Sequence, residues 1–580
     1  MRTQIPWLVA AWWCLALELA AQSAIYNEAA ITHPVVGYGG MVATQEAHAT
    51  RAAVEVLAEG GNAVDAAVTA GFTLAVTLPR AGNLGGGGFM LVHLAGQDEQ
   101  VAIDYRERAP LAASRDMFLD DEGKVVTGRS RRSHLAAGVP GTVRGLVLAL
   151  EKFGTIPLRR ALAPAIRLAE EGFTVTEDLS TSLEVYAADL RSSPAAAEIF
   201  LRPDGSAWPV GSTLVQKDLA SSLRLIAEGG ADAFYRGPIA RAIAADMAEN
   251  AGLITGADLA AYRAVIREPV RGSYRGMEIV SMPPPSSGGV HLIQMLNVLE
   301  RFPVGRYGHN SADAIHLTAE VMRRAYADRS RYLGDPDFVD VPTGELIAKA
   351  YAEELAGKID LRRATPSDRV APGLGKLPDT ESNETTHFSV IDRHGNAVSN
   401  TYTLNFSYGS RLVVPGTGIL LNNEMDDFSA KPGSPDGYGL IGGRRNAIEP
   451  GKRMLSSMTP TLIFPEDGGV IATGTPGGSR IITTVLQLVC NLADHGMNLA
   501  EATAAPRFHH QWFPDQLRIE RGFSADTLAI LESRGHEITL GPAMGSAQTV
   551  RLRAGVFTGA SDLRRRGALT IGLPAPPDGE

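Results

Sequence analysis

Between residues 364 and 405 the chain changes character, and this change constrains its fold more than any other feature. Residues 364–384, ATPSDRVAPGLGKLPDTESNE, are polar, rich in Pro and Gly and without apolar period. Such a stretch reads as an exposed linker or loop. The following residues, TTHFSVIDRHGNAVSNTYTLN (385–405), form two β-rich runs around Arg393-His394-Gly395. A three-residue connection with Gly at its last position is the signature of a hairpin with a G1 bulge. If residues 392 and 396 close that loop, the register sets Thr385 opposite Thr403, with Cβ atoms roughly 5 Å apart. Two hydroxyls then meet where a strand begins, and Asn405 falls on the same face as Thr403.

The rest of the chain supplies a body in which such a hairpin can be buried. Of 580 residues, 44% are hydrophobic and 20% charged, a globular balance able to fill a large core. Periodicity predicts two small-residue helices over 43–78, broken at Gly60-Gly61, with Asn62 capping the second. Strands are expected at 89–93 and 100–105, and helices at 158–171, 218–227 and 312–332. A strand over 470–473 and a helix from about 479 complete the pattern. Strands alternating with helices on both sides of residue 385 predict layered sheets covered by helices. The four glycines 85–88 lack the Gly-Lys-Ser/Thr ending of a phosphate cradle, and are expected to make a tight backbone turn.

At the N-terminus, Arg2 precedes an apolar run over 5–17 and then the small residues Ala20, Ala21, Ser23 and Ala24. This is the pattern of a secretory signal peptide, here assigned to 1–24. The run is too short for a transmembrane helix, and Glu18 interrupts it. The mature protein is therefore expected to be secreted or periplasmic, with no membrane association once the signal is removed. Cys14 lies within the signal, so Cys490 is left alone in an apolar helical pattern and is expected to be a buried inert thiol. The formal net charge of −10 is spread without basic blocks, which argues against a nucleic-acid binder. His509 and His510 have no surrounding ligand cluster and are expected to be structural; no metal and no cofactor are expected.

The segment ESNETTHFSV (381–390) resembles the autocleavage site of the gamma-glutamyltranspeptidases, members of the N-terminal-nucleophile hydrolases. Seven further motifs are similar to that family in order and spacing. They are AGNLGGGGFM (81–90), DYRERAP (104–110), PPPSSGG (283–289), LLNNEMDDFSAKPG (420–433), KRMLSSMTPT (452–461), TGTPGGSRIITT (473–484) and APRFHHQW (505–512). The resemblance implies an α/β (α+β) four-layered αββα sandwich. It also implies self-cleavage after Glu384 into a large subunit, 25–384, and a small subunit, 385–580, which together make one catalytic unit.

A Thr hydroxyl is a weak nucleophile that needs a base nearby. As the first residue of a chain, Thr385 would carry an α-amine with a reference pKa of about 7.7–8.0, suited to that task. Inside an intact chain the same nitrogen is an amide and takes no proton. The resemblance implies Thr385 as nucleophile, Thr403 as the hydroxyl orienting it, and Gly477 and Gly478 as oxyanion donors. For the α-carboxylate of a γ-glutamyl group it implies Arg106, Ser456 and Ser457; for the ammonium, Asn405, Glu424 and Asp427. Many family members carry Gln at position 424 and before the cut, where this chain has Glu424 and Glu384. Tyr438 resembles a lid tyrosine. The implied reaction moves a γ-glutamyl group from glutathione or glutamine to water or to an amino-acid or peptide amine. A cephalosporin or glutaryl acylase of the same fold is the alternative, and a non-enzymatic relative would stay a single uncut chain.

Overall fold

The computed structural model describes residues 30–370, 385–431, 433–436 and 439–575. The signal assigned to 1–24, Glu384 before the expected cut, and Tyr438 lie outside the described residues.

Two seven-stranded antiparallel sheets form the centre. In spatial order, one runs Leu569–Gly572, Gly40–Thr44, Thr386–Asp392, Ala397–Thr403, Gly87–Leu94, Glu99–Tyr105 and Val265–Arg267. The other runs Val35–Gly37, Val556–Ser561, Gln548–Arg553, Val470–Thr473, Thr461–Phe464, Met277–Ser281 and Val270–Tyr274. Each sheet draws strands from both sides of residue 385. The hairpin that begins at Thr386 sits in the middle of its sheet, with Gly40–Thr44 on one side and Gly87–Leu94 on the other. A cut before Thr385 would therefore leave two chains sharing both sheets.

The period of two along the strands sorts side chains into layers. Met90, Val92, Val390 and Val398 face helices Ala47–Ala58, Ala63–Thr77 and Thr142–Phe153 in one core. Phe89, Leu91, Ile391 and Ala397 face the opposite way, meeting Val280, Leu462, Ala472 and Val550 of the second sheet. Ile279, Ile463 and Ile471 then pack on helices Gly288–Leu299, Ala312–Tyr332 and Arg480–Ala493. The result is an αββα sandwich, as the resemblance implied.

Most local expectations hold. Helices Leu158–Glu171 and Ala312–Tyr332 span their predicted residues, and Asn62 caps Ala63–Thr77 in a capping box with Asp65. The predicted helix over 43–78 is corrected at its start: Gly40–Thr44 is a strand paired with Thr386–Asp392, and the helix begins at Ala47 behind the Glu46 cap. The turn expected at glycines 85–88 is corrected in its second half: Gly85 and Gly86 lie in a bend, while Gly87 and Gly88 open a strand. A Cβ on Gly88 would lie 2.4 Å from that of Tyr402, and one on Gly87 would lie 2.6 Å from Glu107 Oε2. Close approach, not turning, requires glycine here.

Candidate active site

The hairpin has the register expected from its loop. Thr386 pairs with Tyr402 and His387 with Thr401, while Asp392 N–H donates to Asn396 O at 3.0 Å and Gly395 takes φ +86°. Thr385, one residue before the strand, is 4% exposed. Its hydroxyl donates to Thr403 Oγ1 at 3.3 Å, and Thr403 Oγ1 also accepts the Asn405 N–H at 2.8 Å. Asn405 turns the chain out of the strand with φ +76°, a conformation Asn tolerates better than most residues. Its Nδ2 donates to Asn423 O at 3.1 Å.

Gly477 and Gly478 lie between strand Val470–Thr473 and helix Arg480–Ala493, with φ of +136° and +55°. Neither donates its N–H to a backbone carbonyl among the described residues. Such amides at a helix start suit a developing negative charge. The loop is braced from behind. Ser479 Oγ donates to Gln511 Oε1 at 2.7 Å, and His509 bridges the same oxygen and Thr483 at 2.9 and 2.8 Å. Burial holds the His509 ring far below its ordinary pKa, so it braces as a neutral group. His510 contacts Asp515 and the Trp512 N–H instead, so the two histidines hold different segments. On the other side, a Cβ on Gly474 would sit 2.4 Å from the His387 ring. That ring is held by Thr401 and Ser389 and kept neutral, at about 3, by burial.

Glu424 and Asp427 share one turn of 3-10 helix, Glu424–Asp427, whose three-residue period puts both carboxyls on one face. Both accept from Arg106, which is fully buried and also donates to Met454 O at 3.2 Å. Burial opposes the Arg106 charge, but Glu424 and Asp427 outweigh it and hold the guanidinium above its ordinary value. Burial raises both carboxyls despite the attraction of Arg106. One oxygen of each, Glu424 Oε2 and Asp427 Oδ1, has no hydrogen-bond partner among the described residues.

One cavity gathers Thr385, Thr403, Asn405, Glu424, Asp427, Arg106, Ser456, Ser457 and Gly478, with Gly477 next in the chain. Four residues on its wall went unnamed in the sequence reading: Arg329, Leu440, Met458 and Ile481. Arg329 lies in no motif, and its burial is what marks it. Helix Ala312–Tyr332 carries Glu320, Arg323, Arg324, Asp328 and Arg329 all buried, so its charges cannot form a solvated face. Glu107, behind the wall, was also missed. Both its oxygens lack hydrogen-bond partners among the described residues, and burial pushes its carboxyl up to about 8.

Among the described residues no cluster of His, Cys, Asp or Glu is arranged to hold a metal. No described helix is long and apolar enough to cross a membrane. Cys490 is buried, which drives its thiol up and keeps it protonated.

The chain is similar to known proteins over most of its length. The gamma-glutamyltranspeptidase family model matches residues 49–571. The glutathione hydrolase proenzyme of Escherichia coli (strain K12) is 54% identical over 543 residues, 93% of each chain. The acylase ACY 1 proenzyme of Pseudomonas sp. (strain SE83) is 42% identical over 92% of this chain and 94% of its own. Among solved structures, the cephalosporin acylase from Bacillus halodurans superposes with a TM-score of 0.82 at 28% identity, over 96% of this chain and 99% of its own. The gamma-glutamyltranspeptidase of Helicobacter pylori matches at 47% identity with a TM-score of 0.55, over 58% of this chain and 96% of its own. The chain is an enzyme of the gamma-glutamyltranspeptidase family.

Proposed function

We propose that this enzyme is a self-processed glutathione hydrolase and gamma-glutamyltransferase acting through Thr385. One observation carries the choice of acyl group: Glu424 Oε2 and Asp427 Oδ1 are unsatisfied acceptors on the cavity that holds the Thr385 hydroxyl. A γ-glutamyl α-ammonium supplies the donors they lack and offsets the charge that burial penalises. Asn405 lies beside them, and the α-carboxylate is assigned to Arg106, Ser456 and Ser457.

Maturation begins when Thr385 Oγ1 attacks the carbonyl of Glu384, breaking the C–N bond and forming an ester to the same residue. Water hydrolyses that ester, leaving a carboxylate on Glu384 and a free α-amine on Thr385. In turnover the amine takes the Thr385 hydroxyl proton as Oγ1 attacks the γ-carbonyl of glutathione or glutamine. The oxyanion meets the Gly477 and Gly478 N–H groups, and the departing amine (or ammonia) takes the proton. Water or the amine of an amino acid or dipeptide then attacks the γ-glutamyl ester by the reverse path. Thr403 orients the nucleophile throughout, and Tyr438 is assigned the lid role that the resemblance implies. The large subunit, 25–384, and small subunit, 385–580, stay paired through their shared sheets after the signal, 1–24, is removed on export.

The second reading, an acylase acting on glutaryl or cephalosporin side chains, is favoured by the likeness to the cephalosporin acylase from Bacillus halodurans and the acylase of Pseudomonas. A glutaryl group carries no ammonium for Glu424 and Asp427. Hydrolysis of γ-glutamyl-4-nitroanilide and glutaryl-4-nitroanilide separates the two. We expect kcat/KM at least about 10-fold higher for the first, the worth of one charged hydrogen bond. A preference for the glutaryl compound would make the enzyme an acylase.

A further inference from the structure

Arg329 is the cavity's other guanidinium, and its surroundings are the reverse of those of Arg106. Arg106 faces Glu424 and Asp427 directly, with Glu107 Oε2 at 3.6 Å from Nη1. Arg329, 5% exposed, touches no carboxylate among the described residues. Its Nε donates to Ser287 Oγ at 3.0 Å and its Nη2 to Ser457 Oγ at 3.3 Å. Asp436 and Asp427 reach it only as more distant charges, while Arg106 repels it. The cavity is therefore polarised, with carboxyls in excess at one end and a bare guanidinium at the other.

Hydroxyl chemistry turns that charge into a direction. A serine oxygen that accepts a guanidinium N–H still has one O–H to give. Ser287 gives its own to Ser456 O at 2.7 Å, and its N–H donates to the same oxygen at 2.8 Å. This fixes the backbone just before Ser457. Ser457 Oγ has no acceptor among the described residues, and it lies on the cavity wall.

We propose that Arg329 is a positioning residue for carboxylate specificity: it makes Ser457 a donor toward the cavity and sets an uncompensated positive charge behind it. A substrate α-carbon is thereby oriented: the carboxylate, assigned above to Arg106, Ser456 and Ser457, is drawn to the Ser457 side of that set, and the ammonium to Glu424 and Asp427. The proposal rests on the γ-glutamyl reading above.

The test compares L-glutamate with 4-aminobutanoate, which differs only in lacking the α-carboxylate, as competitive inhibitors of γ-glutamyl-4-nitroanilide hydrolysis. Wild-type turnover of the anilide is measured first, and its absence would remove the functional reading itself. In Arg329→Met we expect the Ki of L-glutamate to rise roughly 10- to 100-fold and that of 4-aminobutanoate to stay within about twofold. The anilide KM should rise with the first, and kcat should change less. Arg329→Lys keeps the charge but not the two-pronged donation, so its L-glutamate Ki should fall between wild type and Arg329→Met. Equal rises in both Ki values, or none, would overturn the proposal. If Arg329→Met stays uncut, Arg329→Lys alone decides by the same ratio; if both stay uncut, the residue serves maturation and the proposal fails.

Discussion

The Thr385 hydroxyl lies 3.3 Å from that of Thr403, at the open end of a hairpin whose far end is closed by Gly395. The two ends are linked by register alone, because each rung fixes the next. Thr403 is in turn fixed by the Asn405 N–H, so the nucleophile rests on a partner that the backbone itself holds. Thr403→Ala should lower kcat about 10-fold or more with little change in KM, and Thr403→Ser should recover most of it. Steady-state kinetics on γ-glutamyl-4-nitroanilide check this, and an unchanged kcat in Thr403→Ala would refute the orienting role.

Glu424→Gln and Asp427→Asn should each raise KM for γ-glutamyl-4-nitroanilide, the Asp427 change by roughly 10-fold. Glutaryl-4-nitroanilide, which has no ammonium, should be hydrolysed no worse by either variant. A parallel loss on both substrates would mean that the carboxyls hold only Arg106.

Gly478 takes φ +55°, where any Cβ is strained, and its N–H is aimed by that conformation. Gly478→Ala should therefore lower kcat by about 10²- to 10³-fold, the usual cost of losing one oxyanion donor. Retained kcat would assign the oxyanion elsewhere.

Burial holds the Glu107 carboxyl at about 8 in the fold, against an ordinary value of 4.5. The folded chain keeps this proton while the unfolded chain loses it. The stability it contributes is full below about 4.5 and is lost as pH rises through about 8. Glu107→Gln, neutral at every pH, should thus melt close to wild type near pH 5 and increasingly above it toward pH 9. Thermal scans at matched rates check this; a gap independent of pH would mean that Glu107 is ionised throughout.

The hairpin and the layer pattern were legible because local chemistry dictates them. Gly395 sets the loop, the loop sets the register, and alternation along residues 386–403 sorts side chains between two cores. Ala43 and Thr44 were misread as the start of a helix because neither residue dictates helix or strand locally, and pairing with Thr386–Asp392 decides. Gly87 and Gly88 were misread because the bodies that crowd them, Glu107 and Tyr402, come from other segments. The site itself joins residues near 106, 329, 385, 424, 457 and 478. No local spacing brings these together, so their roles came from ordered motifs; Arg329 lies outside every motif and was missed.

Activity through Thr385 requires the amine that only cleavage after Glu384 releases. A denaturing gel of active wild-type protein, with N-terminal sequencing of the smaller band and Thr385→Ala alongside, tests this most directly. We expect two wild-type bands, the smaller beginning Thr-Thr-His-Phe-Ser, and a single inactive full-length band for Thr385→Ala. A single full-length band in active wild-type material, or an active Thr385→Ala, would contradict it.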